Sequence, residues 1–102
     1  MLNTKMKMEN DELFIELEGR LDTLSAPGFD RELEAELPKV KGLTLDFEKL
    51  EYISSAGLRT VLAAQQYMEE QGYRDVKVLH VNEMIQDIFD LTGFYDIVDV
   101  EP

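Results

Sequence analysis

Two hydrophobic periodicities alternate along this chain of 102 residues, and their order leaves few folds open. Lys5-Met6-Lys7-Met8 and Leu13-Phe14-Ile15-Glu16-Leu17-Glu18 alternate polar with apolar residues, the period of a strand with one buried face. Asn10-Asp11 lies between them, and both residue types accept the left-handed backbone of a tight turn. The chain is therefore expected to open with an antiparallel hairpin whose second strand ends in Gly19-Arg20-Leu21-Asp22-Thr23. Ser25-Ala26-Pro27 has the form of a helix start, with a capping hydroxyl and a proline in the first turn, where no N–H is missed. Phe29, Leu33 and Leu37 follow as one apolar stripe, and Pro38 and Gly42 close the segment. Leu43–Phe47 is strand-like. From about Ser55 to Gln71 the helical period returns, through Leu58, Val61, Leu62, Gln65 and Met68, with Gly72 as its C-terminal cap. Val76–Leu79 is a fourth strand. Asn82 caps a third helix carrying Met84, Ile85, Ile88 and Phe89 on one side, which Thr92-Gly93 ends. Ile97–Val100 is either a short last strand or an ordered tail.

The order β-β-α-β-α-β-α defines an α/β fold in a single domain, residues 1–102. Its mixed sheet of four to five strands opens with a β-hairpin and packs against three or more amphipathic helices. Strand–helix–strand units imply parallel pairing with right-handed crossovers. In such units functional groups gather beyond the carboxyl ends of the strands. Asp22 follows strand two, and Ser54 and Ser55 follow strand three, so all three are expected at one end of the sheet with Asp46 nearby.

The junction Tyr52-Ile53-Ser54-Ser55-Ala56-Gly57-Leu58-Arg59 carries the most chemistry. A serine there can cap the helix by accepting an orphan N–H of the first turn. It also lies in the positive field of the helix N-terminus, where a phosphate is well placed. From the residues alone the junction is either a plain cap or a site of modification.

Composition narrows the partners. Net charge is −12, from 22 acidic and 10 basic residues. Such a surface repels nucleic acid and anionic lipid, which leaves protein partners with a basic or mixed face, unless the charge serves only solubility. With no cysteine there is neither a disulfide framework nor a thiolate metal site. No run approaches the ~20 apolar residues of a membrane span, and Met1–Lys7 lacks the apolar stretch of a signal peptide. The expectation is a soluble cytoplasmic monomer.

Other chemistries lack their residues. His80 is the only histidine and reads as a structural or surface group. Ser54-Ser55-Ala56-Gly57 is not a G-x-S-x-G elbow, and no phosphate-binding glycine loop is present. Glu32, Glu34, Glu36 and the Glu69-Glu70 pair read as solvated faces, so no metal or cofactor is expected. Met6, Met8, Met68 and Met84 occupy apolar-periodic positions and read as core, as do Phe29, Phe47 and Phe89. Phe94-Tyr95 either cover the end of the third helix or form an exposed patch.

Three segments make the sequence resemble the STAS domain family. Gly19-Arg20-Leu21-Asp22 with Ala26-Pro27 is similar to the family's G-x-L-D and A-P helix start. Leu45-Asp46-Phe47 through Tyr52-Ile53-Ser54-Ser55-Ala56-Gly57-Leu58 is similar to its strand–loop–helix signature. Leu91-Thr92-Gly93-Phe94 is similar to its closing L-T-G-[LF]. The resemblance implies a stand-alone anti-sigma factor antagonist, a regulator and not an enzyme. In such proteins the serine of D-S-[ST]-G-L is phosphorylated by a partner that is both kinase and anti-sigma factor, and a serine phosphatase reverses it. Alignment on Gly57-Leu58 puts the acceptor at Ser55. The family's aspartate falls on Ser54, which makes Ser54 a second candidate. Asp22, Asp46, Ser54, Ser55, Ala56, Gly57 and Arg59 are then expected to form the partner surface. Two alternatives stand beside this one: a constitutive docking subunit of a larger signalling or transport assembly, and a small nucleotide-binding or hydrolytic enzyme using Ser55.

Overall fold

A computed structural model of the chain describes residues 1–101. Strands β1 (Leu2–Glu9) and β2 (Glu12–Leu21) form the opening hairpin. Asn10 and Asp11 are its two-residue turn, both at positive φ, 52° and 65°, so the turn's backbone twist matches that of the strands. Helix α1 (Ala26–Glu36) leads through a short 3-10 turn into β3 (Gly42–Ile53). Helix α2 (Ser55–Gln71) leads to β4 (Lys77–Leu79), and α3 (Glu83–Thr92) to β5 (Asp99–Glu101). Of Ile97–Val100, only Asp99 and Val100 lie in this last strand, which pairs parallel to β4.

Strand order in the sheet is β1-β2-β3-β4-β5, the order along the chain. Every parallel crossover therefore steps the same way, and a common right hand stacks all three helices on one face. That face holds the core: Leu13, Ile15, Leu17, Leu43, Leu45, Phe47, Leu50 and Ile53 from the sheet meet Phe29, Leu33, Val61, Met68, Ile85 and Phe89 from the helices. The opposite face carries Phe14, Glu16, Thr44, Asp46, Lys77 and Leu79 in neighbouring registers, with no helix of the described residues over it.

β3 runs well past the expected Leu43–Phe47, to Ile53. Register shifts against β2, between Asp46 and Lys49 and between Leu50 and Tyr52, each add one residue to β3. The buried residues Phe47, Leu50 and Ile53 consequently fall three apart, which hides the strand from a period of two. The methionines also divide. Met68 is fully buried, but Met84 is 55% exposed and Met8 45%. Met84 lies on the solvent side of α3, whose buried stripe is Ile85 and Phe89. Phe94 stacks on Phe89 (centroids 5.3 Å) and Tyr95 meets the same ring edge-on (5.9 Å), so the pair covers the end of α3.

Helix ends follow local chemistry. Asn82 Oδ1 accepts the Ile85 N–H at 2.9 Å, capping α3 as expected. Gly72 and Gly93 take left-handed C-cap conformations (φ 76° and 75°). The start of α1 differs from expectation, because Ser25 is already helical and makes no cap bond of its own. The cap lies a turn earlier. Asp22 Oδ1 accepts the Ser25 N–H (3.1 Å), while Ser25 Oγ accepts the Asp22 N–H (2.9 Å), the reciprocal pattern of a capping box.

Candidate functional site

The carboxyl ends of β2 and β3 lie side by side, with Leu21 in register with Ile53. Only Ser54 separates β3 from α2. Its N–H donates to the Leu21 carbonyl at 2.9 Å, which ties the junction to β2. Its backbone is extended (φ −96°, ψ 176°) and its Oγ accepts the Gly57 N–H at 3.3 Å. Ser54 is the cap. Ser55 is the first helical residue; its side chain is exposed, and its hydroxyl has no hydrogen-bond partner among the described residues.

Arg59 lies four residues on, exposed, on the same helical face as Ser55. Ala56 is half-buried against the core. Gly57 is buried, which corrects its expected place on the partner surface. A Cβ there would lie 2.8 Å from the Leu21 carbonyl oxygen, from the Leu21 side chain and from that of Ile53. Its lack of a side chain lets the first turn of α2 press onto the ends of β2 and β3, so the approach it permits is internal.

Asp22 stands across from Ser54, at the head of the turn into α1. Its carboxylate also accepts the Leu24 N–H (3.1 Å) and faces Arg20 Nε at 3.7 Å. The Ser25 N–H chiefly holds its pKa below the ordinary value of 3.8. The turn projects Leu24, 92% exposed. Beside it the Arg20 guanidinium lies 4.4 Å over the Tyr52 ring. Arg20, Leu24 and Tyr52 were not among the residues expected to form the site. The signals were present but weak, since a lone leucine in a polar turn and an Arg–Tyr pair across two strands show only once the register is known.

Asp46 is the residue the fold does not bring to this end. It lies seven residues before the end of β3, roughly 20 Å along a strand. It is 8% exposed and faces the helix-free side of the sheet. There Oδ1 accepts the Glu48 N–H at 3.0 Å and lies 2.9 Å from His80 Nδ1. That contact holds the imidazole's pKa above 6.5. His80 follows β4, which is in register with β3 only as far as Asp46, so the imidazole is not set beside Ser55 as a base.

The junction thus offers an unengaged hydroxyl at a helix N-terminus with Arg59 on the same helical face, while the neighbouring end of β2 carries Arg20 and leads into the turn of the exposed Leu24. The junction's positive field suits an anion.

Residues 3–102 match the STAS domain family, and the chain belongs to that family. It is 34% identical over 86 residues to a candidate anti-sigma factor antagonist of Bordetella bronchiseptica, BtrV, covering 82% of this chain and 72% of that protein. It is 24% identical over 99 residues to the anti-sigma-B factor antagonist of Bacillus subtilis, covering 97% and 90%. Among solved structures, the Bacillus cell fate determinant SpoIIAA in its phosphorylated form has the same fold, with a TM-score of 0.77 at 18% identity over 98% of this chain and 92% of that one. No helix among the described residues is long and apolar enough to cross a membrane.

Proposed function

We propose that this chain is an anti-sigma factor antagonist that works by partner switching, with Ser55 as the residue that is phosphorylated. The unphosphorylated form binds an anti-sigma factor that is also a serine kinase, and the sigma factor is set free. That partner, holding ATP and magnesium in its own site, then transfers a phosphoryl group to Ser55 and dissociates. A serine phosphatase restores the hydroxyl. The exchange is bacterial and cytoplasmic, and the chain takes part as a monomeric regulator and substrate without a cofactor of its own.

One observation carries the choice of residue. Ser54 Oγ is engaged in capping, whereas Ser55 Oγ is exposed and unengaged at the first position of α2. Modifying Ser54 would cost the helix its cap, while modifying Ser55 leaves the cap in place. A phosphate adds about −1.5 to −2 charges, which the N-terminal dipole and Arg59 tolerate within the folded chain. At a docked interface the same anion is desolvated without a partner and opposes association. A few kcal/mol there changes affinity by orders of magnitude. Asp22, Leu24, Ala56 and Arg59 form the rest of the contact surface on this reading.

The test is a paired capture from host lysate with Ser55→Ala and Ser55→Asp baits, followed by mass spectrometry. The alanine bait should retain an ATPase-type kinase that the aspartate bait loses, and that kinase should phosphorylate wild type but not Ser55→Ala. Equal capture by both baits would sink the switch and leave a constitutive docking module.

A further inference from the structure

We propose that Asp46, Glu48 and His80 form a surface site for a divalent transition-metal ion, with Zn²⁺ the best fit. Asp46 and Glu48 lie in β3, and His80 directly follows β4, which the sheet brings into register with β3 at Asp46 and Leu79. Each offers one ligand atom, and the three atoms lie within 4.8 Å of one another. The nearest pair, His80 Nδ1 and Asp46 Oδ1, stands at 2.9 Å. Donors around Zn²⁺ with bonds of about 2.0–2.1 Å lie about 3 Å apart, so only the Glu48 arm has to close in.

The anchor is built. Asp46 is 8% exposed and its Oδ1 is fixed by the Glu48 N–H, so the carboxylate holds one position without the ion. His80 has a left-handed backbone (φ 57°), and from there its ring reaches back to Asp46. Glu48 and His80 are exposed, so the site is open to solvent and keeps room for water as a further ligand. No helix among the described residues covers this face of the sheet.

The donor set selects the ion. Two carboxylates and one imidazole bring two negative charges and a borderline nitrogen, which suits Zn²⁺ better than the all-oxygen shells of Mg²⁺ or Ca²⁺. A bound ion takes the place of the proton shared between Asp46 and His80. It would clamp the end of the three-residue β4 to the middle of β3. The site lies well away from Ser55 along β3 and does not rest on the proposed switch.

His80 is the only histidine and the chain has no cysteine, so an imidazole-bound metal has one address. The experiment titrates Zn²⁺ into tag-free, full-length protein, reading heat by calorimetry and the His80 ring by ¹H–¹⁵N NMR. One saturable site should appear, with His80 resonances moving in step. His80→Ala and the exposed-site variant Glu48→Gln should each weaken binding at least about tenfold, while Glu34→Gln on α1 should not. Glu48→Gln removes a surface carboxylate and keeps the test valid should His80→Ala disturb folding. A silent His80 ring, no uptake, or uptake unchanged in both variants would overturn the site, and diffuse multi-site uptake would assign the binding to the acidic surface at large.

Discussion

Two neighbouring serines of the same chemistry have different tasks because one backbone is extended and the other helical. Ser54 faces back along α2 and accepts an N–H of the first turn; Ser55 points out. Ser54→Ala should therefore lower stability by about 0.5–2 kcal/mol, the usual worth of an N-cap, while Ser55→Ala should stay within about 0.5 kcal/mol of wild type. Urea unfolding of both variants measures this, and equal losses would mean that both hydroxyls support the helix. Gly57 obeys a steric rule. Its missing Cβ would meet a backbone carbonyl that cannot move cheaply, so Gly57→Val should destabilise by about 3 kcal/mol or more, beyond any gain in helix propensity. The expected outcome is a lower urea midpoint with weakened partner binding only as a consequence. Normal stability with lost binding would return Gly57 to the partner surface.

The elements that frame the site depend on bonds between their ends. The Asp22–Ser25 capping box joins β2 to α1 and holds the turn that presents Leu24. The folded state depresses the Asp22 pKa below 3.8, so the unfolded chain binds the proton more tightly. This contribution is complete above the ordinary carboxylate range and is lost as pH falls through the depressed folded value. Between about pH 5 and about pH 2.5, wild type should lose more stability than Asp22→Asn, as read from urea midpoints. Parallel pH profiles would show that the carboxylate's charge plays no part. A second tie lies at the other end of α2. Gln65, 1% exposed, accepts the Val76 N–H at 2.7 Å and donates to Glu69 and Asp75, which fixes where β4 begins.

At the scale of the whole molecule, charge is the largest unbalanced quantity. The chain carries −12 within principal extents of 31 × 27 × 21 Å. At about 10 mM salt the screening length of about 30 Å spans the molecule, and at about 150 mM it is about 8 Å. Exposed ion pairs such as Lys7–Glu9 contribute little against that repulsion. Tm should therefore rise between these two salt concentrations in scanning calorimetry, and a fall would show that specific ion pairs outweigh the net charge. The same scale explains which readings were legible beforehand. Hairpin, helices, the C-terminal glycine caps, the Asn82 cap and the strand–helix junction at Ser54 all depend on residues within a turn of one another, and the sequence alone determined them. The far half of β3, the burial of Gly57 and the pairing of Asp46 with His80 instead of with the serines were decided by tertiary structure. Each follows from the register of β3 against its neighbours. Two bulges set that register, and it is a balance of contacts between residues far apart in the chain that no local period records.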